Sequence, residues 1–148
     1  MIFDLTYMKF AHLMSLHSKA VRAQVGAVII TKTGVLIPSY NGTARLTVNV
    51  CEDENGVTKI EVIHAELNCI IKAAAEGISI IGSTIYTTMS PCKHCAALII
   101  QSGIIRVVYD TLYRDNTSIK YLLDSGINVD QIEKNISILR TISVGQSD

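Results

Sequence analysis

STIYTTMSPCKHCAALIIQSGIIRVVY, residues 83–109, is the stretch that decides the fold. Its first part is β-branched and short enough to be a strand, and Ser90-Pro91 then marks the turn into a helix that Gly103 ends. A second β-branched run follows at residues 104–109. Because a strand, a helix and a strand in this order imply a right-handed crossover between parallel strands, the stretch predicts an α/β fold.

The chain before this stretch predicts a helix and a hairpin. Residues 4–18 carry apolar side chains at helical spacing, with Asp4 as the expected N-cap. Buried strands are expected at 25–31 and 35–40, and the Lys32-Thr33-Gly34 turn between them favours antiparallel pairing. The sheet should therefore be mixed, with helices on both faces.

A polar loop and a second helix are expected between the hairpin and the deciding stretch. Residues 41–59 are rich in turn formers, and a loop of that length usually has a function. The helix should run from about Ile63 to Glu76, although a Thr58-x-x-Glu61 capping box would start it earlier.

The C-terminal part predicts a fourth helix at residues 116–125. From Ile127 onward the pattern is ambiguous between strand and helix, and the last residues are expected to fray.

Composition limits the function classes. The 148 residues suit one domain spanning 1–148, and 13 basic against 13 acidic side chains leave no excess to grip a polynucleotide. No signal peptide and no membrane-spanning run occurs, so a cytoplasmic protein is expected. The 49% apolar share suggests that some surface meets another subunit.

Two cysteines at metal-ligand spacing carry the chemistry. Cys92 and Cys95 lie three apart in the first turn of a helix, where partial positive charge favours thiolates. Catalytic zinc takes three protein ligands and one water, and His64 is the best third candidate, with Glu66 two positions later. Cys-x-x-Cys alone suits a redox pair or half of a structural zinc knuckle about as well as it suits a catalytic site.

The pairing of His64 with Glu66 imposes a geometric condition. Residues two apart on a helix point to roughly opposite sides, so both can face one site only if His64 lies at the helix entry.

The His64-Ala65-Glu66 and Pro91-Cys92-Lys93-His94-Cys95-Ala96 motifs resemble those of the cytidine and deoxycytidylate deaminase superfamily. The resemblance covers nearly the whole chain and implies a three-layer α/β/α fold with a mixed five-stranded sheet. It also implies one catalytic Zn²⁺ that lowers the pKa of water, with Glu66 moving protons while the amine leaves as ammonia. Ala65, between the two site residues, is expected to contact the substrate.

The segment before His64 resembles the deoxycytidylate branch, which implies dCMP as substrate. Asn41-Gly42 matches the branch pattern, whereas Ala44 and Leu46 replace its usual Pro and Gly. In the family this loop helps to bind nucleotide and, in some members, dCTP as activator. Asn41 is thus a candidate substrate contact, or it serves only the turn.

Further substrate contacts are expected from both ends of the chain. Ser18, Lys19 and Arg22 could receive a 5′-phosphate, or form a solvated basic turn. The resemblance implies that Tyr113 lines the pocket and that the protein is a homo-oligomer, commonly a hexamer in this branch. A deaminase of free cytidine or deoxycytidine, a tRNA adenosine deaminase and a non-catalytic zinc-containing nucleotide-binding module are the alternatives.

The remaining cysteines and histidines receive structural interpretations. Cys69 falls in an apolar helix and should be a core residue, and Cys51 is expected to be an unbound thiol rather than a ligand of a second ion. His94 should project from a different face than its neighbouring cysteines, and His12 and His17 should lie at the surface.

Overall fold

The computed structural model describes residues 2–132. Its helices are α1 (Ile2–Ser15), α2 (Ala65–Glu76), α3 (Lys93–Gln101) and α4 (Thr117–Asp124). Its strands are β1 (Gly26–Ile30), β2 (Leu36–Tyr40), β3 (Thr84–Met89), β4 (Arg106–Thr111) and β5 (Asn128–Gln131). The ambiguous segment after Ile127 thus begins as a strand, and the expected fraying of the last residues concerns positions outside the described range.

The strands form one mixed sheet in the order β2-β1-β3-β4-β5. β1 is antiparallel to both β2 and β3, whereas β3, β4 and β5 run parallel. The predicted hairpin and the predicted parallel crossover are both confirmed, as is the mixed five-stranded α/β fold.

Alternate residues along the central strands separate the two faces of the sheet. Ile29 and Ile85 point into the larger core, which α2, α3 and α4 cover. Val28 and Tyr86, their neighbours, point into a second core formed with α1. The three-layer arrangement of helices, sheet and helix therefore follows from the period-two pattern of the strands.

Gly26 lets α1 approach the sheet closely. A Cβ atom at this position would collide with the carbonyl oxygen of Ala11, which is itself completely buried. Because only glycine lacks that atom, the contact requires Gly26 and brings the end of α1 against the start of β1.

The second helix begins close to its predicted start at about Ile63, whereas the alternative earlier start and the predicted N-cap of the first helix are wrong. The Thr58-x-x-Glu61 capping box does not form, because Thr58 pairs with Glu52 in an isolated β-bridge and α2 begins only at Ala65. Asp4 is not the N-cap of α1, since it lies inside that helix and binds Arg106 instead.

The Asp4 carboxylate is part of a polar network that joins distant elements. Its Oδ1 accepts hydrogen bonds from the Tyr86 hydroxyl at 2.7 Å and from Arg106 Nη1 at 2.8 Å. Arg106 also donates from Nε to Asp130 Oδ2 at 2.8 Å. The network ties α1 to β3, β4 and β5.

Across the described residues, no helix has both the length and the apolar character that a membrane span requires.

Candidate active site

The structure brings His64, Cys92 and Cys95 together at one end of the sheet. The Nδ1 atom of His64 lies 3.6 Å from Cys92 Sγ and 3.5 Å from Cys95 Sγ. All three ligand atoms lie within 4.8 Å of one another, and within residues 2–132 no fourth His, Cys, Asp or Glu joins the group. The grouping suits a metal site with one open position.

Both helix entries supply a residue to this group. His64 is the N-cap residue of α2, with extended backbone angles of φ −65° and ψ 153°. Cys92 is the N-cap of α3, and its Sγ accepts a hydrogen bond from the backbone N–H of Cys95 at 3.4 Å. Because His64 stands just before the first helical residue, it meets the geometric condition for sharing a site with Glu66.

The donor set and its spacing fit zinc. With Zn–S of about 2.3 Å and Zn–N of about 2.0 Å, tetrahedral geometry separates a sulfur from a nitrogen ligand by about 3.5 Å. The two observed sulfur–nitrogen distances, 3.6 and 3.5 Å, match that separation. One imidazole and two thiols are also ligands that zinc favours, and three protein ligands leave one corner open to water.

Of the two cysteines, Cys92 is predisposed to act as a thiolate. The hydrogen bond from the Cys95 thiol, together with the neighbouring His64, lowers the pKa of Cys92 to about 3. The same contact and burial raise the pKa of Cys95, so the pair releases its first proton from Cys92. A metal ligand must be deprotonated, and Cys92 meets this requirement at neutral pH.

Glu66 is a buried carboxyl group beside the three ligand atoms. It lies in the first turn of α2 and is 4% exposed, and burial raises its pKa to about 7. A carboxyl group that exchanges its proton near neutral pH can act as both general base and general acid. Its position and its pKa suit proton transfer.

A cavity of about 540 Å³ opens over this group. Its walls come from the segment before β1, the loop before α2, the entries of α2 and α3, and the segment after β4. The lining residues are Ala20, Arg22, Ala23, Val25, Asn41, Glu52, Val57, Thr58, Val62, His64, Ala65, Glu66, Met89, Ser90, Cys92, Tyr113 and Arg114. The volume suits a small organic molecule.

Four of the six residues expected to contact substrate line this cavity, and Lys19 is not among them. Ala65, Arg22 and Tyr113 do so directly. Asn41 also does, but its side chain binds backbone: Oδ1 accepts from Val25 N at 2.9 Å and Nδ2 donates to Ala23 O at 2.9 Å. Ser18 is not part of the lining; it is 2% exposed and its hydroxyl donates to Asn41 O.

Two charged residues of the lining, Arg114 and Glu52, were not predicted from the sequence. Arg114 has a left-handed φ of 52°, and its guanidinium carbon stands 4.9 Å from the centre of the Tyr113 ring. Glu52 reaches the cavity from the loop before α2. Arg114 directly follows Tyr113, which the sequence did indicate, and this gave a weak signal for it. For Glu52 the only signal was its acidic charge within the polar loop of residues 41–59.

The other cysteines and histidines lie apart from the ligand group. Cys69 is fully buried in the larger core, and the Cys51 Sγ donates to Asn49 Oδ1 at 3.7 Å. His94 is exposed, as expected. His12 is not a free surface side chain, because its Nε2 lies 2.8 Å from Oδ2 of the buried Asp110.

The fold, the group of three ligand atoms and the buried carboxyl group of Glu66 are together those of a zinc-dependent hydrolytic deaminase. Residues 1–111 match the family described as the cytidine and deoxycytidylate deaminase zinc-binding region. The chain belongs to this family.

Relatives with known names extend the comparison. Deoxycytidylate deaminase of Enterobacteria phage T4 is 31% identical, over 95% of this chain and 96% of its own length. Deoxycytidylate deaminase of Saccharomyces cerevisiae is 33% identical over 86% of this chain, which spans only 44% of that longer protein. The crystal structure of dCMP deaminase from the cyanophage S-TIM5 with dCMP and dUMP superimposes with a TM-score of 0.85, at 36% identity, covering 88% of this chain and 97% of the other.

Proposed function

We propose that this protein hydrolyses dCMP to dUMP and ammonia as a single deaminase domain. The observation that carries the proposal is the convergence of one imidazole nitrogen and two cysteine sulfurs beside the buried carboxyl group of Glu66. The similarity to dCMP deaminases, including one crystallised with dCMP and dUMP, supports the choice of substrate.

In the proposed mechanism His64, Cys92 and Cys95 hold one zinc ion. The ion would supply Lewis acidity that lowers the pKa of water at the site. Glu66 would take one proton from the attacking water as its oxygen bonds to the ring carbon that carries the amine, and would give that proton to the adjacent ring nitrogen. It would then carry the second water proton to the amine as the C–N bond breaks and ammonia leaves, so one carboxyl group serves first as base and then as acid.

The cavity walls supply the nucleotide contacts in this proposal. Arg22 and Arg114 line the cavity, and both are exposed cations able to receive a phosphate. Tyr113 and Ala65 are placed to contact the base or sugar. Asn41 acts through the backbone of residues 23–25, which it fastens by two hydrogen bonds. Ser18, in turn, supports the Asn41 backbone and does not touch the substrate.

A substrate panel tests the proposal. Zinc-loaded protein is incubated with dCMP, deoxycytidine, CMP and cytidine, and ammonia and the uracil product are measured. We expect dCMP to give the highest kcat/KM. Equal turnover of deoxycytidine would make the protein a nucleoside deaminase, and dCMP binding without ammonia release would make it a zinc-containing binding module. Either result overturns the proposal.

Assembly and compartment stay predictions. Several large apolar side chains are strongly exposed in the single chain, among them Val48 and Ile60 of the loop before α2 and Leu16 and Val21 between α1 and β1. Such surface supports a homo-oligomer, and a hexamer is the expected size. Light scattering on purified protein tests it, and a monomer would contradict it. The cytoplasmic location is likewise a prediction.

A further inference from the structure

The Glu52 carboxylate binds the backbone of the opposite cavity wall. Its Oε1 accepts hydrogen bonds from Val21 N at 2.8 Å and from Arg22 N at 3.1 Å. These residues precede β1 and lie some 30 positions away along the chain. One carboxylate oxygen therefore joins the loop before α2 to the segment that carries Arg22.

Glu52 lies in a small hairpin that its own hydrogen bonds stabilise. It pairs with Thr58 in a small hairpin, in which Asp53 Oδ1 accepts from Asn55 N and Val57 N at 2.9 Å each. Asp53 N also donates to Val57 O at 2.9 Å. Side-chain acceptors of this kind stabilise turns locally, so the position of Glu52 is set before any ligand binds.

Other hydrogen bonds hold the two ends of the segment that carries Arg22, and Glu52 holds its middle. At the near end Ser18 Oγ donates to Asn41 O, and Gln24 Nε2 donates to Ser18 O. Residues 18–25 lie outside the helices and strands, and Asn41 fastens the far end through Val25 and Ala23. Arg22 is exposed, and within residues 2–132 its guanidinium forms no ion pair. A free cation on a short irregular segment needs its backbone fixed in order to bind an anion without a large entropic cost.

We propose that Glu52 is a positioning residue for the substrate phosphate, acting through the backbone of Arg22. The inference rests on the proposed nucleotide substrate. Glu52 accepts from the Val21 and Arg22 amides and so fixes the backbone from which the Arg22 side chain extends, next to the cavity that Glu52 and Arg22 both line. Its role depends on the reach of an acceptor oxygen and not on its negative charge, which by itself would repel a phosphate.

Two substitutions of Glu52 test separately the position of its acceptor oxygen and the negative charge of its carboxylate. Glu52→Asp keeps the charge but withdraws the oxygen by one methylene group, whereas Glu52→Gln keeps the reach without the charge. We expect Glu52→Asp to raise KM for dCMP about tenfold, because the Val21 and Arg22 amides both lose their acceptor, with kcat nearly unchanged. Glu52→Gln should stay within about threefold of the wild type, and KM for deoxycytidine should change little in either variant.

The opposite order of the two variants, or equal effects on dCMP and deoxycytidine, would overturn the inference. The double variant Glu52→Asp/Arg22→Ala adds a second test. Because Glu52 acts through Arg22, the KM of the double variant for dCMP should be nearly that of Arg22→Ala alone. A KM raised by the product of the two single effects would contradict this dependence. Circular dichroism and zinc content check that each variant is folded. If the wild type turned over no dCMP, the proposed function would fail; if it did and Glu52→Asp matched it, only this inference would fail.

Discussion

The Nδ1 atom of His64 lies 3.5 Å from the Sγ atom of Cys95, although 31 positions separate the two residues. The contact exists because two helices begin side by side at one end of the sheet and each places a potential ligand at its first turn. The metal site thus follows from the order of strands and helices along the chain, which places the starts of α2 and α3 side by side.

Removing the Glu66 carboxyl group should abolish turnover while leaving the metal in place. Glu66→Ala takes away the proposed proton carrier but none of the three ligands, so kcat should fall by about 10² to 10⁴-fold with unchanged zinc content. Steady-state ammonia release and metal analysis measure both quantities. Glu66→Gln, which preserves the shape, is the matched control and should be equally inactive. Substantial residual turnover in either variant would refute the assignment.

Removing one thiolate should release zinc. Cys92→Ala leaves only two protein ligands, and we expect the zinc content to fall from about one ion per chain towards zero. Cys51→Ala is the control, because Cys51 lies outside the ligand group and should leave the stoichiometry unchanged. Unchanged zinc in Cys92→Ala, or a second ion lost from Cys51→Ala, would count against one three-ligand site.

Arg22 should distinguish nucleotide from nucleoside. Arg22→Ala removes a cavity-lining cation that we assign to the 5′-phosphate, so KM for dCMP should rise by about tenfold or more and KM for deoxycytidine should hardly change. Parallel kinetics on the two substrates measure the difference. Lys19→Ala, a change of the same charge at an exposed residue outside the lining, is the control. Equal changes on both substrates would remove Arg22 from the phosphate site.

The Asp4–Arg106 ion pair should make stability depend on acid pH. The Arg106 hydrogen bonds lower the pKa of Asp4 below its ordinary 3.8, so the pair stabilises the fold fully above that value and loses its contribution as pH falls through the lowered pKa. Asp4→Asn should cost about 1–2 kcal/mol at pH 7, and its deficit should shrink below about pH 4. Urea unfolding of both proteins at several pH values measures the deficit. A deficit that stayed constant down to pH 2.5 would contradict the role.

Leu46 should be replaceable by glycine with a gain in stability. Its φ is +67° and its side chain is fully exposed, so it bears the cost of a left-handed backbone without packing in return. Leu46→Gly should raise the free energy of unfolding by about 0.5–1 kcal/mol, measured by urea titration. Ala44→Gly in the same loop is the control and should lower it, since Ala44 has no positive φ. Destabilisation by Leu46→Gly would show that the leucine side chain has a packing partner.

Leu46 also shows what a motif can predict. The dCMP deaminase branch has glycine at this position, and the backbone keeps the conformation that glycine favours even though this chain carries leucine. The first four strands, the hairpin and the helix entries at His64 and Cys92 were predictable for a related reason, since each depends on periodicity or on turn residues close by in the sequence.

Contacts between distant residues account for the rest. Asp4 has the residue type of an N-cap, but Arg106, 102 positions later, binds it inside the helix. Thr58 and Glu61 have capping-box spacing, but pairing between Thr58 and Glu52 keeps that segment out of the helix. The contact of Glu52 with Arg22 could not be foreseen either, because it needs the loop and the first strand already in place.

The side chain of Arg106 holds Asp4 of the first helix and Asp130 of the last described strand at the same time. Neither α1 nor β5 can detach without losing its ion pair with Arg106, which also binds the other element. One guanidinium group therefore links the beginning and the end of the described chain, which the sequence places more than a hundred positions apart.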